Sequence, residues 1–162
     1  MNIRPATMAD VPALTALYNE LGVGTTASYD LQPVSEDERA AWLDDHLSRG
    51  WPVIVACAGQ IVIGYAAYGP FRVKAGYRHT MEHSIYVSDG YQGRGVGRAL
   101  MESLIGVARA NRVHVLVGLI DADNAASLAF HEGLGFCTVG TLPQVGRKFD
   151  RWLDLTIQVM TL

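Results

Sequence analysis

The chain has 162 residues, a formal charge of −3, 49% hydrophobic and 18% charged residues. That length suits one domain with its own core, and the hydrophobic fraction excludes a mostly disordered chain. The slightly acidic balance argues against nucleic acid as a partner, because that footprint is normally a basic patch.

In chain order, Ile3 begins a short strand, and Thr7 with Asp10 reads as a capping box opening a helix. Val11, Leu14, Leu17, Tyr18 and Leu21 then recur at helical spacing. Gly22, Gly24 and Thr25–Pro33 form a loop, and Ser35 with Glu38 caps a second helix that Gly50 stops. Pro52–Cys57 and Ile61–Tyr68 read as a hairpin, followed by a strand at His79–Ser88. A glycine-dense turn leads into a helix with Val96, Leu100, Leu104, Val107 and Ala108 on one face. Val113–Ile120 is apolar enough for a strand covered on both sides. A turn at Asp121–Asn124, a short helix at Ala125–Gly133, and strands at Phe136–Leu142 and Trp152–Met160 follow. The polar, basic segment Gln144–Arg151 joins those last strands. The order is β-α-α-β-β-β-α-β-α-β-β, a single mixed α/β domain spanning 1–162.

No run approaches the roughly 18–20 apolar residues of a membrane span, and the amino terminus lacks the apolar core of a secretory signal. A cytoplasmic protein without a membrane partner is expected. Cys57 and Cys137 lie in apolar segments without CxxC or Cys/His spacing, so both are expected as buried small hydrophobes.

The strongest local signal is Gln92-Gly93-Arg94-Gly95-Val96-Gly97-Arg98, between a strand and an amphipathic helix. Glycines permit a sharp turn and close backbone approach, and a helix start presents unpaired N–H groups with partial positive charge. Together they suit phosphates, with Arg94 and Arg98 adding full charges. No Gly-Lys-[Ser/Thr] occurs, and counting from Gly95 the third position of GxGxxG is Leu100. Walker and dinucleotide loops therefore do not fit.

Gln92, Gly95 and Gly97 in Q-x-x-G-x-G resemble the acetyl-CoA pyrophosphate loop of the GNAT N-acetyltransferases, whose element order is also the one read above. Asn124-x-x-Ser127-x-x-x-His131-x-x-x-Gly135-Phe136 resembles a second block of that family. Thr25-Thr26-Ala27, Gly76–Val87, Asn124–Ser127 and Gln144–Leu155 resemble the phosphinothricin / methionine sulfoximine acetyltransferase group. The resemblance implies a GNAT fold with a mostly antiparallel central sheet, acetyl-CoA as co-substrate, no metal, a small amino-acid-like amine as acceptor, and a homodimer.

The resemblance also implies roles. Ile85, Tyr86 and Val87 would offer backbone to the pantetheine arm, the loop Gln92–Arg98 would hold phosphates, and Asn124 would contact the arm. Glu82 would be the general base; it sits mid-strand among apolar residues, where burial raises a carboxyl pKa, though an ion pair with Arg72 or Arg78 is the plainer reading. His131 stands where many members carry a thiolate-protonating tyrosine; it serves that role, acts on the acceptor side, or only packs. Phe71, Arg72, Lys74, Arg78 and His83 are the expected acceptor contacts, with an arginine for a carboxylate, against the alternative of a solvated basic loop. Tyr29 and Trp152 are candidates for aromatic walls or dimer contacts. Alternative acceptors are a polyamine, an antibiotic or a protein N-terminus, and a non-catalytic acetyl-CoA sensor is a rival from another class. His79-x-x-Glu82-His83 matches the H-x-x-E-H zinc string, but on a strand residues four apart are about 13 Å apart, too far to share one ion.

Overall fold

The alternating helical and strand periods build a seven-stranded sheet and four α-helices, and the computed structural model describes residues 1–162. The elements are β1 Asn2–Pro5, α1 Val11–Leu17, α2 Glu36–Ser48, β2 Val53–Ala58, β3 Ile61–Pro70, β4 Thr80–Val87, α3 Val96–Ala110, β5 Val115–Asp121, α4 Ala125–Glu132, β6 Cys137–Lys148 and β7 Arg151–Thr161. Their order matches the sequence reading throughout. The sheet runs β1-β2-β3-β4-β5-β7-β6, and every neighbouring pair is antiparallel except β4–β5.

That parallel pair creates the site. It pairs only Thr80 with Val115, Met81 with Leu116 and Glu82 with Val117. Beyond Glu82 the two strands diverge, although β4 continues to Val87 and β5 to Asp121. β4 stays paired with β3 as far as Val87, and β5 with β7 as far as Asp121. The facing edges within the splay therefore carry backbone groups with no strand partner.

Each sheet face has its own core. On one, the α3 stripe of Val96, Leu100, Met101, Leu104, Ile105 and Ala108 packs on Ile54, Ile63, Leu116 and Phe136. On the other, Leu14, Leu17 and Leu43 cover Val53, Val55, Tyr65 and Tyr86. Each fully buried leucine of this kind contributes about 1.5–3 kcal/mol over an exposed one.

The caps differ in quality. The Ser35 N–H donates to the Glu38 carboxylate at 2.7 Å and the Glu38 N–H donates to the Ser35 hydroxyl at 3.2 Å, a reciprocal pair. At the other predicted box Asp10 accepts from the Thr7 N–H at 2.8 Å, but Arg4 grips the same carboxylate through two nitrogens at 2.8 Å. That grip holds Asp10 at about 2, well below the usual carboxylate range.

Three expectations need correction. α1 stops at Leu17 and widens into a π-helical turn over Tyr18–Val23, which sets the Tyr18 ring edge-on against Tyr86 at 5.7 Å. Gln144–Lys148 is not a connection: β6 runs through to Lys148, and the chain reverses at Phe149 and Asp150, both at positive φ. A bulge between Leu142 and Gly146 lets β6 continue, and its polar residues other than the buried Lys148 are exposed on an edge strand. Cys137 is exposed, because Phe136 fills the core and the next strand residue points the opposite way.

Candidate active site

Two cavities open into the splay. One, of about 580 Å³, lies against α2 and the vertex where β4 leaves β5. The other, of about 770 Å³, runs along the far end of β4 to the glycine loop. They share walls at Thr26, Ile85, Tyr86, Asn124 and Ser127, so the two adjoin.

The larger cavity is built mainly from backbone. Gly93 and Gly95 hold φ of 69° and 83°, in the left-handed region, and a Cβ on either would meet nothing within 4 Å. Glycine is required there by conformation and by an open approach. Gly95 starts the 15-residue α3, whose first N–H groups face this space. Gln92 pins the loop to β4, its Nε2 donating to the Val87 carbonyl and to Asp89 at 3.0 Å each. Arg98 lines the wall, whereas Arg94 turns onto the Tyr91 ring at 5.9 Å. The Val96 side chain is in the core, so only its backbone is available. Ile85, Tyr86, Val87 and Asn124 complete the wall, and Asn124 also caps α4 by accepting the Ser127 N–H at 3.0 Å. The open glycine cradle fits a phosphate-bearing ligand whose arm extends towards the splay.

Glu82 stands at the vertex, the last β4 residue paired with β5, and lines the smaller cavity. Burial pushes its carboxyl above the ordinary carboxylate range; Arg72 opposes this through space without forming an ion pair. Its position and raised affinity for protons suit a base.

Beside it two histidines meet. The His83 and His131 Nε2 atoms are 2.9 Å apart, and both side chains are buried. His131 Nδ1 lies 2.7 Å from the Ser127 carbonyl, which can only accept, so Nδ1 carries a proton. The neutral His131 ring therefore accepts at Nε2, and His83 donates from its own Nε2. His83 Nδ1 makes no well-formed hydrogen bond, and the backbone of Val117 lies near enough to the ring to oppose the lowering of its pKa. Burial, reinforced by the neighbouring His131, lowers His83 to about 3, and burial lowers His131 too. Gly118 makes room for this pair: a Cβ there would come within 3.0 Å of the His83 ring.

The other expected acceptor contacts lie elsewhere. Phe71, Arg72, Lys74 and Arg78 belong to the β3–β4 connection, outside both cavities. Arg72 folds over Phe71 with its guanidinium 4.3 Å from the ring centroid and donates to that residue's own carbonyl. Their closeness to Glu82 in sequence does not become closeness in the cavity, because the connection departs past the closed end of the splay. His79 precedes β4 and His83 lies within it, and His83 turns to His131.

The sequence reading missed two cations. Arg39, on α2, lines the smaller cavity beneath Tyr18 and Trp42. Lys148, near the end of β6, donates to the carbonyls of Thr25, Ser28 and Gly22 at 2.6, 2.7 and 3.3 Å. It ties the loop that walls both cavities to the last hairpin. Arg39 is hidden in an acidic helix turn and Lys148 in a basic run, so composition marked neither.

Against known proteins, the chain is 46% identical to the L-methionine sulfoximine/L-methionine sulfone acetyltransferase of Pseudomonas aeruginosa, covering 99% of this chain and 94% of that one. It is 35% identical to a phosphinothricin N-acetyltransferase of Streptomyces coelicolor, over 96% and 92% of the two chains. A Salmonella typhimurium acetyltransferase solved with acetyl-CoA superposes with a TM-score of 0.97 at 43% identity, over 100% and 94% of the chains. Residues 14–136 match the acetyltransferase (GNAT) family. With the splayed β4–β5 pair and the glycine loop already in place, the chain belongs to the GNAT acetyltransferase family.

Proposed function

We propose that this enzyme transfers acetyl from acetyl-CoA to the amino group of a small amino-acid-like acceptor, of the phosphinothricin, methionine sulfoximine or methionine sulfone type, by direct transfer in a ternary complex. The observation that carries it is Glu82: a half-buried carboxylate without an ion pair, lining the smaller cavity at the vertex where β4 parts from β5. The names of the relatives support the acceptor class.

Acetyl-CoA, when bound, supplies the acetyl thioester. The glycine loop and the α3 start would hold its phosphates, and Ile85–Val87 backbone its arm. Glu82 takes a proton from the acceptor amine, directly or through water. Backbone N–H groups of β4 past Glu82 polarise the thioester carbonyl. In the resting histidine pair both His131 nitrogens are committed, so His131 protonates the departing sulfur only after the pair has received a proton. The proton drawn from the amine stays on Glu82 until solvent removes it, and water protonates the departing thiolate while the pair is neutral.

The protein acts as a cytoplasmic homodimer in this reading. Edge strand β6 and its turn expose Val139, Leu142, Val145 and Phe149, with Trp152 beside them, an apolar face suited to a second copy. The two unpaired cysteines suit a reducing compartment. The test is thiol release from acetyl-CoA across those acceptors, free amino acids, polyamines, aminoglycosides and N-terminal peptides. Preference for the amino-acid analogues supports the reading. No release from any, with acetyl-CoA still stabilising the fold, replaces it with a sensor.

A further inference from the structure

Arg39 is 5% exposed, yet no carboxylate pairs with it and its Nε meets no acceptor. A buried cation in that state is costly unless something else answers its charge. Part of the answer is aromatic. Its guanidinium lies 4.1 Å from the Tyr18 ring centroid and 4.5 Å from that of Trp42. Those rings are held in turn, Tyr18 edge-on to Tyr86 at 5.7 Å and Trp42 edge-on to Tyr65 at 6.3 Å. The stack fixes the fork in place and shares its charge, but satisfies none of its N–H groups.

The neighbouring acids are occupied. Asp30 accepts from the Tyr18 hydroxyl, and Glu38 is closed into the cap of α2 with Ser35. What remains in front of Arg39 is the cavity it shares with Glu82 and the histidine pair. Arg72 and Arg78, the arginines nearest Glu82 in sequence, line no part of it.

We propose that Arg39 is the receptor for a pair of acceptor oxygens, held by its rigid fork as a bidentate hydrogen-bonding partner. This rests on the smaller cavity being the acceptor site, and names the residue that selects the acceptor there. Two parts of such an acceptor present paired oxygens, the α-carboxylate and a tetrahedral sulfone, sulfoximine or phosphinate head. Tyr18 and Trp42 then act as positioning residues for Arg39. The stack also explains why a lysine would not substitute: an ammonium keeps the charge but neither the plane nor the fork.

Two experiments test it. Titrating the wild-type protein with acetate and with methylphosphinate, without acetyl-CoA, should shift the Arg39 Nε–H resonance, identified by its loss in Arg39→Met. In kinetics, Arg39→Met should raise the acceptor KM at least about tenfold, as loss of a charged hydrogen-bonded pair does. The KM for acetyl-CoA should stay unchanged, and Arg39→Lys should recover only part of the loss. A merely structural role would move both KM values together. Loss of the preference for an acid over its carboxamide assigns the α-carboxylate to Arg39; loss of the preference for methionine sulfone over methionine assigns the distal head. A folded Arg39→Met enzyme with an unchanged acceptor KM and both preferences intact overturns the proposal, as does an unmoved resonance. A resonance that shifts in a protein acetylating no amino-acid analogue keeps the anion site and removes the acceptor reading instead.

Discussion

The two cavities are built by different means. The larger one rests on main-chain features, two glycines at positive φ, a helix start and the unpaired edge of β4, with side chains such as Arg98 and Phe130 around them. The smaller one is made of side chains from distant segments: Tyr18, Arg39 and Trp42 from the helical cover, Glu82 and His83 from β4, and His131 from α4. Backbone grips suit a ligand that does not vary, whereas converging side chains suit one that must be selected. Substitutions should therefore separate the two halves cleanly.

The largest effect falls on chemistry at the vertex. Glu82→Gln should lower kcat by about 10²–10⁴-fold, the usual worth of a positioned base, while acetyl-CoA binding measured by calorimetry stays unchanged. Next, Gly95→Val puts a β-branched residue at a φ of 83° and fills the approach to the loop. The KM for acetyl-CoA should rise by about tenfold or more, with acceptor preference unaltered. If acceptor preference moved instead, the division between the cavities would be wrong.

A third substitution sharpens the acceptor half. With His83 near 3 and His131 also lowered, the folded protein keeps both rings neutral while unfolded histidines titrate near 6.5. The unfolded state then binds more protons, so this contribution to stability is present above pH 6.5 and declines as pH falls below it. His83→Asn should flatten that decline in denaturant titrations and reduce kcat severalfold through the loss of the pair. The smallest effect lies far from both cavities. Asp10, held at about 2 by Arg4, stabilises the fold above about pH 4 and loses that contribution as pH falls towards 2. Asp10→Asn should cost about 1 kcal/mol at neutral pH and leave kcat and both KM values alone.

The same contrast decides what the sequence could reveal. The glycine loop is local: its residues are neighbours in the chain, their spacing reflects backbone conformation, and Gln92, Gly95 and Gly97 point to it unaided. Element order was legible for the same reason, through capping residues and periodicity. The acceptor half depends on tertiary approach. Arg39 sits between acidic and alanine residues that look like an ordinary solvated helix, and it is the tertiary approach of the chain at the end of α1 that puts Tyr18 over it. Arg72 and Arg78 are near Glu82 in sequence, and the charge of Arg72 still reaches it, but the β3–β4 connection leaves both outside the cavities. The polar run before Phe149 resembled a loop because an edge strand can be polar on its open side without losing its pairing to β7.

Glu82 is the proposed base, at the vertex of β4 and β5 in the smaller cavity. Its most direct test is the pH dependence of kcat/KM for the best acceptor, in the wild-type enzyme and in Glu82→Gln. The wild type should lose activity on an acidic limb set by a carboxyl titrating above the ordinary range, and that limb should vanish in the variant along with most of the rate. An acidic limb that persists unchanged in Glu82→Gln would contradict the assignment of Glu82.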